Sequence, residues 1–124
     1  MKKNLLEAQE QALSKVESIV ELVDQLQEIF KGDGDSLAYL DITREELLNM
    51  PLEAKLEEGG RYMILLTTGG PAVRLTGIVR SYPLESVRLE CADWGEGWTE
   101  VKIPTEDIEK LLFFVKYLFE EDVM

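Results

Sequence analysis

Apolar residues recur at helical spacing along the beginning of the chain. The stripe is interrupted only at Gln9 and consists of Leu5, Ala12, Val16, Ile19, Val23, Leu26 and Phe30. Neither proline nor glycine occurs between residues 4 and 30, and glycines follow at positions 32 and 34. Because residues spaced alternately three and four apart share one face of a helix, the pattern predicts a single long amphipathic helix within residues 1–31.

The length of this helix bears on how the protein assembles. About 28 residues at a rise of 1.5 Å each span roughly 40 Å, whereas a compact chain of this size measures about 36 Å across. The helix therefore breaks, runs along one entire edge of the domain, or projects and pairs with a second copy. Of the three we expect pairing, as a homodimer. The predicted interface consists of Val16, Ile19, Val23 and Leu26.

Shorter helical signals follow in residues 36–60. A capping box from Thr43 to Glu46 precedes an apolar pair and predicts a helix, which Pro51 ends because proline cannot continue it. A second short helix is predicted to begin at Pro51 and to finish at the glycine pair 59–60.

Residues 61–103 change to extended periodicity. Residues 62–66 are apolar on both faces, which is typical of a central strand, and the later segments alternate between apolar and polar positions. Turn-forming residues at 67–71, 81–83 and 93–97 separate these segments. The expected inward-facing positions are Val73, Leu75, Val79, Val87, Leu89, Cys91, Thr99, Val101 and Ile103. Four antiparallel strands in a meander are predicted.

Residues 104–120 predict a C-terminal helix that begins after Pro104, with two acidic residues in its first turn. Its expected inner stripe is Ile108, Leu111, Leu112, Val115, Leu118 and Phe119, with Phe114 and Tyr117 outside it. Together the patterns predict an α+β fold. A four-stranded antiparallel meander packs against the long N-terminal helix and the C-terminal helix, in a single domain spanning residues 1–124.

Charge adds a hypothesis about partners. The chain has a net charge of −12, and residues 32–60 hold eight acidic and two basic residues. Direct nucleic-acid binding is disfavoured, because it relies on Lys and Arg to replace the counterions of the phosphates. A solvated surface would explain the acidity, as would mimicry of a nucleic-acid backbone by ordered carboxylates that bind a basic protein. The candidate residues for mimicry are Asp33, Asp35, Asp41, Glu45, Glu46, Glu53, Glu57 and Glu58.

Residue types limit the chemistry. Histidine is absent, which removes the commonest general base and the commonest zinc ligand, and Cys91 is the only cysteine. Asp33 and Asp35 lie between glycines but lack the rest of a calcium-binding loop. We therefore expect no enzyme activity, no cofactor and no metal. No apolar run reaches the roughly 18 residues of a membrane span, so we expect a cytoplasmic protein without membrane contact.

Arginines and tryptophans mark a second candidate surface. Alternation places Arg74, Arg80 and Arg88 on the outer face of the sheet. They would either pair across strands with Glu90 or Glu100, or form with Trp94 and Trp98 a platform of the kind enriched in binding hot spots. A related alternative is an anionic small molecule bound by Arg74, Trp94 and Trp98. The turn at Gly69-Gly70-Pro71 joins two strands and is a weak candidate for anion binding.

A family resemblance involves the same part of the chain. The segment Leu65–Leu75, then Leu89-Glu90, Asp93-Trp94 and Trp98–Glu100, resembles short proteins encoded by bacteriophages and related mobile elements. Gly97 and Val101 stand where that family often has a proline and an aromatic residue. The resemblance implies a mobile-element context rather than a particular activity. Because small acidic proteins of such elements often inhibit host defence, we expect an inhibitor of a bacterial defence nuclease, such as a CRISPR effector or a restriction enzyme, acting in the cytoplasm of the host cell. The alternative is a homo-oligomeric accessory or structural protein assembled through the N-terminal helix.

Overall fold

The computed structural model describes residues 2–31, 37–69, 71–79, 85–93 and 97–119. In chain order the elements are α1 (Lys2–Lys31), α2 (Leu37–Leu48), β1 (Glu53–Leu56), a 3-10 turn (Glu58–Gly60), β2 (Arg61–Thr67), β3 (Ala72–Ile78), β4 (Ser86–Ala92), β5 (Thr99–Val101) and α3 (Thr105–Leu118). The five strands pair in sequence order and every pair is antiparallel. The α+β class is as predicted, with one strand more than the four expected.

The additional strand β1 replaces the short helix expected after Pro51. The amide of Leu52 donates to the carbonyl of Leu65 at 2.8 Å, and the amide of Glu57 donates to the carbonyl of Arg61 at 2.7 Å. Between β1 and β2 the glycine pair 59–60 adopts positive φ at both positions, which folds the chain back into a hairpin. The sequence prediction was wrong here because so short a helix gains few hydrogen bonds, whereas the hairpin satisfies this backbone on β2.

The α2 helix begins earlier than the capping box indicated. It starts at Leu37, and Thr43 lies within it with a buried side chain. Thr43 and Leu47 face inward, and α2 packs on α1. A threonine that occupies an interior helical position has no free backbone amides beside it to cap, so the motif had no role as a helix start.

One face of the sheet packs against the helices. Alternation correctly predicted the core positions of β3 and β4: Val73, Leu75, Leu89 and Cys91 are fully buried. Thr99, which was expected beside them, is exposed. The α1 helix contacts β3, β4 and β5 on this face, and α3 contacts both β4 and α1. The core therefore lies between the sheet and the two long helices.

Two aromatic residues complete this core. Tyr62 is the partner of Gly77 in the β2–β3 register, and its hydroxyl donates to the carbonyl of Ser86 at 2.7 Å. A Cβ at Gly77 would collide with that carbonyl, so the position requires glycine. Phe114, expected outside the inner stripe of α3, is fully buried, whereas Ile108 is 37% exposed. The buried face of α3 is rotated from the predicted one because the helix packs against α1 as well as the sheet.

Candidate functional site

The predicted dimer interface lies inside the chain's own core. Val16 is 1% exposed, and Ile19, Val23 and Leu26 are fully buried, because α1 lies along the sheet and against α2 and α3. The helix therefore runs along the molecule in one piece rather than projecting from it. These four side chains cannot contact a second copy while this packing is in place, so the interface assigned to them is corrected to core.

The opposite face of α1 carries a row of carboxylates that the sequence analysis missed. Its members are all exposed: Glu7, Glu10, Glu17, Glu21 and Glu28. Their spacings of three, seven, four and seven keep them on one side of the helix, and the row extends over roughly 32 Å. We call this row the acidic stripe. The helical period that revealed the apolar face would also have revealed it, had it been applied to acidic residues.

Basic side chains do not pair with the acidic stripe in the part of the chain that the structure describes. Among the described residues none of its five carboxylates forms an ion pair. Beside the stripe, Asp24 pairs with Lys110 of α3, and this hydrogen bond raises the pKa of Lys110. One carboxylate next to the stripe therefore ties α1 to α3, while the stripe itself presents its charge to solvent.

The acidic residues predicted for partner binding are distributed over several elements. Glu45 and Glu46 are exposed on α2, Glu53 lies on β1, and Glu57 and Glu58 lie at the turn that follows. Glu53 is within 3.3 Å of Lys55 on the same strand. Asp33 and Asp35, and the side chain of Asp41, lie outside the described residues. Of the predicted set, the structure thus brings together Glu45 and Glu46 on one helix face.

Those two carboxylates border an open groove between α1 and α2. The groove has a volume of about 520 Å³, and its lining residues are Leu22, Ile42, Glu45, Glu46, Asn49 and Met50. Ile42 lies on the face of α2 that carries the two glutamates, because their positions follow helical spacing, and Asn49 comes directly after the helix. Leu22 comes from α1, where it is 8% exposed. We call this feature the α1–α2 groove.

The Arg74 side chain lies on the other face of the sheet and is already paired. Its Nε donates to Oε1 of Glu90 at 2.8 Å, and its guanidinium lies 3.9 Å from the ring centre of Trp98. Thr76 donates a second hydrogen bond to the same Glu90 oxygen at 3.2 Å. The cross-strand pair between Arg74 and Glu90 is therefore confirmed. We call these four residues the Arg74 cluster.

The described residues do not form an arginine platform with two tryptophans. Arg88 is exposed on β4, and Trp98 is 38% exposed against Arg74. Arg80, Trp94 and Gly70 lie outside the described residues. Because Glu90 neutralises Arg74, an incoming anion would have to displace a formed salt bridge, and the cluster is better suited to fixing the chain before β5 on the sheet.

The buried titratable groups have structural surroundings. Cys91 is fully buried and its burial raises the pKa of the thiol, which favours the unreactive protonated form. Burial also raises the pKa of Tyr62 well above its usual range, and its hydroxyl is occupied by the Ser86 carbonyl. Within the described ranges, no group of three or more Cys, Asp or Glu side chains is arranged to hold a metal ion.

Comparisons with protein-family models, with curated proteins and with solved structures found no match to this chain. In the part of the chain that the structure describes, no helix combines the length and the apolar character needed to cross a membrane.

Proposed function

We propose that this protein is a non-catalytic inhibitor that binds a basic protein partner, and that the partner is a bacterial defence nuclease such as a CRISPR effector. The acidic stripe on α1 is the observation that carries the proposal. Five exposed carboxylates follow one line for roughly 32 Å on a rigid helix, and no described cation pairs with them. A basic groove built for a nucleic-acid strand has charges of the opposite sign in a similar linear arrangement.

The way α1 is anchored supports this use of the stripe. The inward face of the helix is fixed by fully buried residues from Ala8 to Leu26, so the carboxylates on the outward face are held in a constant order. A row that is fixed before binding loses less conformational freedom when it meets a partner. Its negative charge would raise the rate at which the protein associates with a basic partner. We place this activity in the cytoplasm of a bacterial host cell.

The experiment compares two variants with the same net charge. In the first, Glu10, Glu17 and Glu21 of the stripe are changed to Gln. In the control, Glu100, Glu106 and Glu109, which are exposed elsewhere, are changed to Gln. Binding to purified CRISPR effectors and restriction enzymes is measured by surface plasmon resonance at low and physiological salt, alongside cleavage of a DNA substrate.

We expect the stripe variant to bind at least about tenfold more weakly at low salt, with a shallower salt dependence and loss of inhibition. The control variant should behave like the original protein. Equal weakening in both variants would show that only net charge matters and would contradict a role for the stripe. Absence of binding to every nuclease in the panel would contradict the choice of target.

A further inference from the structure

Exposed apolar side chains are concentrated around α2. Among the described residues, five large apolar side chains are exposed, and three of them fall between positions 42 and 52. Ile42 is 56% exposed, Leu48 is 43% exposed and Leu52 is 63% exposed. A single exposed apolar residue is ordinary, but several in one short segment are typical of a protein-binding surface.

Of these three exposed side chains, Ile42 lines the α1–α2 groove. Leu22, Ile42 and Met50 supply its apolar lining, and Ile42 contributes the most exposed side chain of the three. The groove is open to solvent and is lined by residues of α1, α2 and the segment just after α2. A small molecule is normally held in a pocket that encloses most of its surface, whereas an open groove between helices suits the apolar side of a third helix.

The charges beside the groove specify the chemistry of that helix. Glu45 and Glu46 follow Ile42 by one turn of α2, both are exposed, and neither forms an ion pair with any residue the structure describes. A bound helix with Lys or Arg on either side of its apolar anchors would pair with both carboxylates. We infer that the α1–α2 groove binds one amphipathic helix of a partner protein, with Leu-like anchors and flanking Lys or Arg residues.

A second copy of this chain is a poor occupant of the same groove. The chain carries a net charge of −12, and the acidic stripe lies on α1, one of the two helices that form the groove. Two copies meeting here would bring carboxylates towards carboxylates, which opposes association. The same carboxylates would attract a basic helix. Its binding requires neither the acidic stripe nor a nuclease as the partner, so the groove can be tested separately.

The probe is a synthetic fluorescein-labelled helix made of Leu and Lys, with Leu at positions that share one helical face. One control peptide has the same composition with the Leu residues scattered around the helix, and another has Glu in place of Lys. Fluorescence anisotropy of each peptide is followed during titration with the full chain. We expect saturable binding of the amphipathic Lys peptide, at least about tenfold weaker binding of the scattered peptide, and none of the Glu peptide.

Variants of the protein locate the binding. Ile42→Ser should weaken binding by about tenfold, as loss of a buried anchor does in other interfaces. Ile108→Ser removes another exposed isoleucine, from α3 and outside the groove, and should leave the affinity unchanged. Changing Glu45 and Glu46 together to Gln should weaken binding most at low salt.

Three results would overturn the inference. The first is that the scattered peptide binds as tightly as the amphipathic one. The second is that Ile42→Ser and Ile108→Ser change the peptide affinity equally. The third is that sedimentation of the peptide-free protein reveals a dimer that Ile42→Ser dissociates, which would make a second copy the occupant. Far-UV circular dichroism of each variant confirms that the helical content of the protein is retained.

Discussion

The α1–α2 groove and the Arg74 cluster combine the same kinds of side chain with different outcomes. In the cluster, Arg74 satisfies Glu90 and covers Trp98, so both the charges and the aromatic surface have partners within the chain. In the groove, Glu45 and Glu46 have no ionic partner among the described residues, and Ile42, one helical turn before them, is 56% exposed. The side chains of the cluster therefore contact one another within the chain, whereas those of the groove remain available to a partner.

This difference decides which surface is available for binding. An arginine beside a tryptophan suggests a hot spot in sequence, but pairing within the chain means that a ligand must first break the existing contacts. Unpaired carboxylates next to exposed apolar side chains have only water to displace. Substitutions in the cluster should therefore reduce stability, and substitutions in the groove should reduce binding while leaving the fold intact.

The largest effect is expected beneath the groove, at Val23 on the inward face of α1. Val23→Asp places a carboxylate at a fully buried position and should destabilise the fold by more than about 4 kcal/mol, leaving the chain unfolded. Gln25→Asp adds the same charge at an exposed position of the same helix and should change stability by less than about 0.5 kcal/mol. Circular dichroism in urea, with sedimentation for size, checks both. A folded monomeric Val23→Asp protein would restore the dimer-interface hypothesis.

A smaller loss is expected when the Arg74 cluster is opened. Arg74→Ala leaves the Glu90 side chain, 16% exposed, without its cation and uncovers one face of Trp98, which should cost about 1 to 3 kcal/mol. Arg88→Ala removes an exposed arginine from the neighbouring strand and should cost less than about 0.5 kcal/mol. Urea denaturation monitored by tryptophan fluorescence compares the two. Equal effects would mean that the cluster contributes nothing specific.

The pairing of Tyr62 with Ser86 should appear as a pH dependence. The phenol of the unfolded chain releases its proton near the ordinary pKa of 10.0, whereas burial keeps it protonated in the folded protein. Above that pH the unfolded state holds fewer protons, so stability falls by about 1.4 kcal/mol per pH unit from this group. Below it the contribution is fully present.

Tyr62→Phe isolates this group from the other alkaline titrations. At neutral pH the variant should be less stable by about 1 kcal/mol because the hydrogen bond to the Ser86 carbonyl is lost. As pH rises above 10, the difference from the original protein should shrink and then reverse. Urea denaturation at a series of pH values measures it. A difference that stays constant with pH would show that Tyr62 is not kept protonated by the fold.

The sequence predicted best where burial imposes a strict period. Two-residue alternation identified Val73, Leu75, Leu89 and Cys91, because each strand of a half-covered sheet faces the core at every second position. The strand β1 escaped this logic. Its residues are mostly exposed, and backbone hydrogen bonds to β2 rather than side-chain burial hold it in place. Such an edge strand leaves no apolar pattern to read.

Counting charge along the sequence does not show which acidic residues are neighbours in space. Counting charge by segment drew attention to residues 32–60, although those that the structure describes separate onto α2, β1 and the turn after it. The acidic stripe is spread over 22 positions of α1 and becomes continuous only when the helix forms. The apolar face of α1 was identified correctly, but sequence alone did not distinguish burial against its own sheet from burial against a second copy.

The smallest effect on stability is expected at the groove. Changing Glu45 and Glu46 together to Gln should alter the free energy of unfolding by less than about 0.5 kcal/mol, because both carboxylates are exposed and unpaired among the described residues. A slight stabilisation is the favoured direction, since the chain carries a net charge of −12 and loses self-repulsion. Urea denaturation at low salt measures the change.

Glu90→Gln is the matched substitution in the Arg74 cluster. Glu90 accepts from both Arg74 and Thr76, so this single change should cost more than the two changes at the groove together. If the double groove variant were instead the less stable one, Glu45 and Glu46 would hold α2 in place. Their contribution to peptide binding would then have to be separated from their contribution to the fold before the groove could be assigned an occupant.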